Sequence, residues 1–151
     1  MNRKHFFAAV VLVSLLVAGL PPVLAQEPLQ VNIDIKPESN PNIINLGSKG
    51  NIPVAILSTD EFDATTVDPE TVLFAGAGVA VRGNGKKELA HLEDVNGDGM
   101  LDLLLQIETE NLDPGTFQDG YAFLTGRTYE GQNVEGSDEI TIVPPEDPPP
   151  A

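Results

Sequence analysis

Short segments in which apolar and polar residues alternate recur along this chain and predict β-strands. Val31–Ile35 alternates with a period of two, as a half-buried strand does, whereas Ile52–Leu57 is a continuous apolar run typical of a buried strand. No segment shows a convincing helical period. Five further strands are predicted at residues 43–46, 71–75, 101–108, 121–125 and 139–143.

Turn signals between these segments predict how the strands connect. Asn84-Gly85 is a strong hairpin signal, and it separates the alternating segments 79–82 and 88–93. Seven to nine short strands at spacings of about ten residues are typical of sandwiches. The pattern therefore predicts an all-β fold, namely an antiparallel β-sandwich of the immunoglobulin-like type.

The two ends of the chain differ in composition from the part between them. Residues 1–25 have a basic start, an apolar stretch and an Ala25 ending, which together predict a signal peptide. Residues 26–143 form the predicted β-sandwich domain, and 144–151 are a Pro-rich acidic tail. We therefore expect a secreted protein, extracellular or periplasmic, that does not insert into the membrane after signal cleavage.

Oxygen ligands recur at alternate positions between residues 94 and 102, in the order Asp-Val-Asn-Gly-Asp-Gly-Met-Leu-Asp. A hard cation such as Ca²⁺ takes about six to eight oxygen ligands, and EF-hand loops supply them from positions 1, 3, 5, 7 and 9, the seventh through its backbone carbonyl. With Asp94 as position 1, the other four are Asn96, Asp98, Met100 and Asp102. The spacing predicts one calcium loop between strands, with these five residues as ligands.

This loop is not predicted to belong to an EF-hand. Position 12, which is a bidentate Glu in EF-hands, is Leu105 here, and the alternation after the loop is that of a strand. A polar turn without metal is the alternative interpretation, but it leaves the oxygen at every odd position unexplained. Asp34 with Asp63 or Asp68 is a further candidate cation site, for which solvated turn carboxylates are the simpler explanation.

Five segments, taken in order, resemble a sparsely characterised module of secreted bacterial and archaeal proteins. They are VNIDIKP at 31–37, IPVAIL at 52–57, FDATTVDP at 62–69, HLEDVNGDG at 91–99 and LTG at 124–126. The loop itself resembles those of FG-GAP and VCBS-type repeats and, more loosely, those of dockerins and thrombospondin type 3 repeats. The resemblance implies an exported β-sandwich with a calcium loop and no established reaction. One departure is Glu38, where the module usually has Gly.

Composition and charge narrow the possible functions. Removal of Arg3 and Lys4 with the signal reduces the basic residues from eight to six, against 23 acidic residues, for a net charge near −17. Such a chain is repelled by nucleic acid and by anionic lipid. With no Cys and only His91 as a histidine after residue 25, Cys-His catalysis and His-rich zinc sites are excluded. We predict that the protein is not an enzyme.

These observations predict a calcium-binding structural, adhesion or interaction module. Its expected partner is an unknown extracellular protein or a polysaccharide. A carbohydrate-binding accessory module is the alternative, although the chain has no Trp and only Tyr121 and Tyr129 as tyrosines. A small carboxylate-dependent glycan hydrolase is the third possibility. We expect a monomer in chelator, with weak association where calcium screens the negative charge.

Overall fold

The computed structural model describes residues 24–85 and 87–144, together with Gly19 and Pro22. Most of the predicted signal peptide and nearly all of the predicted acidic tail lie outside the described residues. Three short 3₁₀ turns occur among the described residues, at Ala64–Thr66, Thr109–Asn111 and Pro114–Thr116. No helix in this part of the chain has the length and apolarity needed to cross a membrane.

The described residues form an all-β fold, as predicted. Thirteen strands occur, namely β1 (Leu29–Gln30), β2 (Asn32–Ile35), β3 (Ile43–Asn45), β4 (Asn51–Leu57), β5 (Val67–Phe74), β6 (Ala77–Gly78), β7 (Val81–Arg82), β8 (Lys87–Glu88), β9 (Ala90–Glu93), β10 (Asp102–Glu108), β11 (Tyr121–Thr128), β12 (Asn133–Glu139) and β13 (Thr141–Val143).

Two main sheets share most of these strands. Sheet A has the order β1-β12-β11-β5-β6, and sheet B has the order β2-β4-β10-β9. Two small two-stranded sheets, β13-β3 and β7-β8, lie beside them. The predicted antiparallel pattern needs one correction, because β1 pairs with β12, and β13 with β3, in the parallel direction. Both of these pairings involve very short strands that meet residues far along the chain.

A single hydrophobic core lies between the two main sheets. Alternate residues of β10, β11 and β12 point into it, as expected of strands with a period of two, whereas β4 buries the consecutive residues 54–56. The largest fully buried side chains are Phe74, Val72, Val67, Leu124 and Val134 from sheet A, and Ile35, Ile56, Val54, Leu105 and Ile107 from sheet B. Two sheets that bury one shared core are consistent with a β-sandwich.

Strand β4 is an interior strand although it contains Pro53. The Pro53 carbonyl accepts a hydrogen bond from the Lys36 backbone N–H at 2.8 Å, so this edge of the residue faces β2. The β2 ladder ends one residue earlier, with Ile35 opposite Val54. The Lys36 carbonyl, which an N–H of residue 53 would meet in a continued ladder, instead accepts the Ser39 N–H at 2.9 Å, so the missing N–H of Pro53 leaves no acceptor unpaired there.

The chain crosses from sheet A to sheet B between β1 and β2, and a glycine permits this crossing. The Val31 N–H donates to the Glu135 carbonyl at 2.8 Å, which holds the crossing against β12. A Cβ atom on Gly136 would lie 2.8 Å from the Val31 carbonyl oxygen and 2.8 Å from Ile33 Cγ2. Only a residue without a side chain allows the backbones to approach this closely.

Candidate functional site

The predicted calcium loop connects two adjacent antiparallel strands of sheet B. Strand β9 ends at Glu93 and β10 begins at Asp102, and these two residues are opposite each other in the ladder. The segment 94–101 therefore leaves the sheet and returns to it at one end of the β9–β10 pair. The strand pairing fixes both ends of the loop.

Asp94 organises the first half of the loop. Its Oδ1 accepts hydrogen bonds from the backbone N–H groups of Gly97 at 2.8 Å and Asp98 at 3.1 Å, and its Oδ2 accepts one from Gly99 at 2.9 Å. Gly97 and Gly99 have φ angles of 74° and 87°, which glycine adopts without steric cost. One carboxylate thus accepts hydrogen bonds from three backbone donors of the tight turn.

Asn96 and Asp98 lie in the same exposed turn and contact each other. The Asn96 Oδ1 accepts the Asp98 N–H at 3.1 Å, and its Nδ2 donates to Asp98 Oδ2 at 3.2 Å. Asp98 Oδ1 accepts the Met100 N–H at 2.8 Å. Three predicted ligands, Asp94, Asn96 and Asp98, are therefore grouped, and each carboxylate keeps lone pairs that these bonds do not use.

The fifth predicted ligand, Asp102, has a different environment. Its side chain is fully buried, and its Oδ1 and Oδ2 accept the N–H groups of Ser58 at 2.8 Å and Val95 at 3.0 Å. A buried carboxylate is tolerated only when such bonds replace its hydration. Ser58 reinforces the same junction, since its Oγ donates to the Leu101 carbonyl at 2.7 Å and accepts the Ala64 N–H at 2.8 Å. Asp102 therefore fastens the loop to the neighbouring segment 58–64.

Oxygen chemistry in the loop suits a hard cation, but the side-chain arrangement limits the possible ligand shell. In the stretches 24–85 and 87–144, no group of three or more His, Cys, Asp or Glu side chains is arranged to hold a metal ion. A calcium ion at this loop would therefore depend on the Asn96 amide oxygen, the Met100 carbonyl and water in addition to carboxylates. Such mixed shells are ordinary for Ca²⁺.

A second concentration of acidic groups lines a cleft of about 500 Å³ between β2, the 36–42 loop and β12. The cleft is open to solvent and mostly polar. Its lining includes four acidic residues and two asparagines, namely Asp34, Glu38, Asp138, Glu139, Asn40 and Asn42.

Hydrogen bonds give Asp138 a structural role in this cleft. Its Oδ2 accepts the Ile35 N–H at 3.0 Å and the Asn42 Nδ2 at 2.9 Å, which connects β12 of sheet A to β2 of sheet B. Desolvation raises the pKa of the nearby Asp34 carboxyl above its ordinary value, and the negative charge of Asp138 raises that pKa further. The two carboxylates therefore repel each other across the sheet junction.

The remaining acidic candidates have local roles. Asp63 caps the Ala64–Thr66 turn, and its Oδ1 accepts the Thr65 N–H at 2.9 Å. Asp68 Oδ1 accepts the Glu70 N–H at 3.1 Å. These bonds are those expected of turn carboxylates.

Comparisons with protein-family models, curated proteins and solved structures return no match for this chain. The functional argument therefore depends on the residues and their geometry.

Proposed function

We propose that this protein is an exported calcium-binding β-sandwich of the immunoglobulin-like type that acts as an extracellular structural, adhesion or interaction module. In this proposal five residues of one loop contribute calcium ligands, namely Asp94, Asn96, Asp98, Met100 and Asp102. Asp102 also holds the base of that loop through its two buried hydrogen bonds. Its partner is an extracellular protein or a polysaccharide. The protein is a monomer that associates weakly when calcium reduces its charge repulsion.

The observation that carries the proposal is the grouping of Asp94, Asn96 and Asp98 in one exposed turn. All three side chains are exposed, and Asp98 is within hydrogen-bond distance of Asn96. Two carboxylates and an amide oxygen so close together attract a hard divalent cation. Binding of an ion would also relieve the repulsion between the two carboxylates.

Calcium is proposed to stabilise the native fold and to take no part in a reaction. A ligand that binds only the folded state stabilises it by RT ln(1 + [L]/Kd). Extracellular calcium modules have Kd values of about 10⁻⁴–10⁻³ M, so millimolar calcium would contribute about 0.5–1.5 kcal/mol. For a domain of this size that corresponds to a rise in Tm of roughly 2–6 °C.

The test compares thermal unfolding in calcium and in chelator for the wild type and two variants. Asp98→Ala should lose most of the calcium-dependent rise in Tm, because it removes an exposed charged ligand. Asp102→Asn should lower Tm in chelator as well as in calcium. The Nδ2 of the new asparagine cannot accept one of the two buried N–H groups, and this should reduce the free energy of unfolding by about 1–3 kcal/mol. An unchanged wild-type Tm on adding calcium, with Asp98→Ala behaving like the wild type, would show that the loop is only a turn.

A specific surface supports the carbohydrate-binding alternative. On the outer face of sheet A, Tyr121 and Phe123 alternate with buried residues of β11, and Leu73 lies on β5 opposite Thr125. Tyr121 and Leu73 are 43% and 49% exposed. Aromatic side chains on an exposed sheet face suit the apolar faces of sugar rings. Retention of the protein on insoluble glycans in a pull-down would favour this class over a protein-binding module.

A further inference from the structure

The loop contains an Asn-Gly pair whose reactive groups are both held by hydrogen bonds. In Asn-Gly sequences the glycine backbone nitrogen can attack the asparagine side-chain amide carbon, because glycine has no side chain to obstruct the approach. Asn96-Gly97 is such a pair, and both residues are exposed to solvent. Exposure alone would make Asn96 a site of spontaneous deamidation.

We propose that Asn96 is a deamidation site which the Asp94 carboxylate protects in the folded loop. In the first step the Gly97 nitrogen loses its proton and forms a bond to Asn96 Cγ, and the side-chain amide nitrogen leaves as ammonia. Water then opens the resulting cyclic imide to aspartate or isoaspartate. The products carry one additional negative charge, and isoaspartate also lengthens the loop backbone by one methylene group. Water is the only co-reactant.

Two features of the loop oppose this attack. The Gly97 N–H donates to Asp94 Oδ1 at 2.8 Å, so the attacking nitrogen is directed toward a carboxylate instead of toward Asn96 Cγ. A negative charge at this distance also disfavours loss of the nitrogen proton, because the resulting anion would be adjacent to a like charge. Reaction therefore requires that the Asp94 interaction first opens.

The side-chain amide of Asn96 is held as well. Its Oδ1 accepts the Asp98 N–H at 3.1 Å and its Nδ2 donates to Asp98 Oδ2 at 3.2 Å. The amide must rotate away from Asp98 before the Gly97 nitrogen can reach its carbon. Both reacting groups thus depend on local opening of the loop, which occurs more often than global unfolding.

The chain contains an internal reference for this reaction. Asn84-Gly85 is the same dipeptide, is also exposed, and lies in the β7–β8 turn, whereas the Asp94 carboxylate accepts its hydrogen bonds from residues 97–99. The deamidation rate of Asn84 reflects the pH and temperature of the incubation and any global loss of structure. The ratio of the Asn96 rate to the Asn84 rate therefore isolates the effect of the loop.

The test incubates the purified protein and its variants in mildly alkaline buffer with chelator, so that it is independent of calcium binding. Peptide mapping by mass spectrometry measures conversion at residues 96 and 84. Asp94→Ala should raise the rate ratio about tenfold, since an ordinary hydrogen bond and a repulsive charge are both lost. Asp94→Asn keeps an oxygen acceptor and loses the charge, so its ratio should lie between those of the wild type and Asp94→Ala.

The control variant is Asp98→Ala, which removes the 3.2 Å contact to the Asn96 amide and the acceptor of the Met100 N–H but keeps the bond from the Gly97 N–H to Asp94, and it should raise the ratio less than Asp94→Ala. An unchanged ratio in Asp94→Ala would overturn the proposal. A parallel rise at residues 84 and 96 in both Asp94 variants would also overturn it, because Asp94 would then act through global stability.

Discussion

At the scale of single residues, Glu38 occupies a backbone conformation that L-amino acids disfavour. Its φ is 72°, which lies in the left-handed region that favours glycine. A left-handed conformation costs an L-residue about 1–2 kcal/mol, while glycine loses about 0.5–1 kcal/mol more backbone entropy on folding. Glu38→Gly should therefore increase the free energy of unfolding by about 0.5–1 kcal/mol, which denaturant titration measures.

The matched control for this substitution is Glu38→Ala. It removes the same negative charge from the acidic cleft but keeps a Cβ atom and hence the unfavourable φ. Its stability should remain close to that of the wild type. An equal gain in Glu38→Ala and Glu38→Gly would assign the effect to charge and contradict the conformational explanation.

The candidate site could be predicted from sequence only where its chemistry is local. The spacing of Asp94, Asn96 and Asp98 is a property of a short segment, and the structure places these residues in one turn. The burial of Asp102 depends on Ser58, which is 44 positions earlier in the chain. No local pattern indicates that contact, so spacing alone assigned Asp102 to the ligands and did not reveal its role in holding two loops together.

At the scale of strands, the crossing from β1 to β2 depends on the close approach of two backbones. Gly136→Ala would place a Cβ atom 2.8 Å from the Val31 carbonyl oxygen, and a backbone atom cannot move aside without disturbing β12 or the crossing. Overpacking of this kind costs about 1–3 kcal/mol. We therefore expect Gly136→Ala to lower the free energy of unfolding by about that amount.

Gly78 provides the control, because it lies in strand β6 and has nothing within 4 Å of an added Cβ atom. Gly78→Ala should change stability by less than about 0.5 kcal/mol. If both substitutions destabilised the protein equally, the effect would belong to strand glycines in general and not to the sheet crossing.

The hydrophobic pattern of the sequence predicts the bounds of some strands better than those of others. β4 follows closely from its continuous apolar run. β5 begins at Val67, four residues before the strand predicted at residues 71–75, and the added segment includes Pro69. A β-bulge opposite Thr125–Arg127 accommodates this segment, and the Thr71 Oγ1 accepts the Arg127 N–H at 2.9 Å in place of a ladder bond. Prolines are found at such bulges. The bulge itself can be recognised only from the pairing with the partner strand, which the local sequence does not show.

At the scale of the whole molecule, negative charge far exceeds positive charge, with 23 acidic residues against eight basic ones. In the part of the chain that the structure describes, the single close contact between oppositely charged side-chain types is that of His91 with Glu93, at 3.1 Å. That contact is exposed, so its contribution to stability is small. The carboxylates are instead stabilised by backbone N–H groups, as Asp94, Asp102 and Asp138 show. Where such bonds are missing, repulsion between carboxylates should make stability depend on pH.

Asp34 is the group for which this dependence can be predicted. Desolvation and then the charge of Asp138 raise the pKa of its carboxyl above the ordinary value, so the folded state binds its proton more tightly than the unfolded state. The favourable contribution is complete below the unfolded pKa and is lost as pH rises through the folded pKa. Asp34→Asn should therefore be more stable than the wild type at pH 7, by less than about 1 kcal/mol because the site is partly exposed. The difference should shrink as the pH approaches 4, which denaturant titrations across pH would measure.

Asp138→Asn is the contrasting variant. The Asp138 carboxylate accepts the Ile35 N–H, so its replacement should lower stability at pH 7. A stability gain for Asp34→Asn that is the same at pH 4 and pH 7 would exclude charge repulsion as its cause.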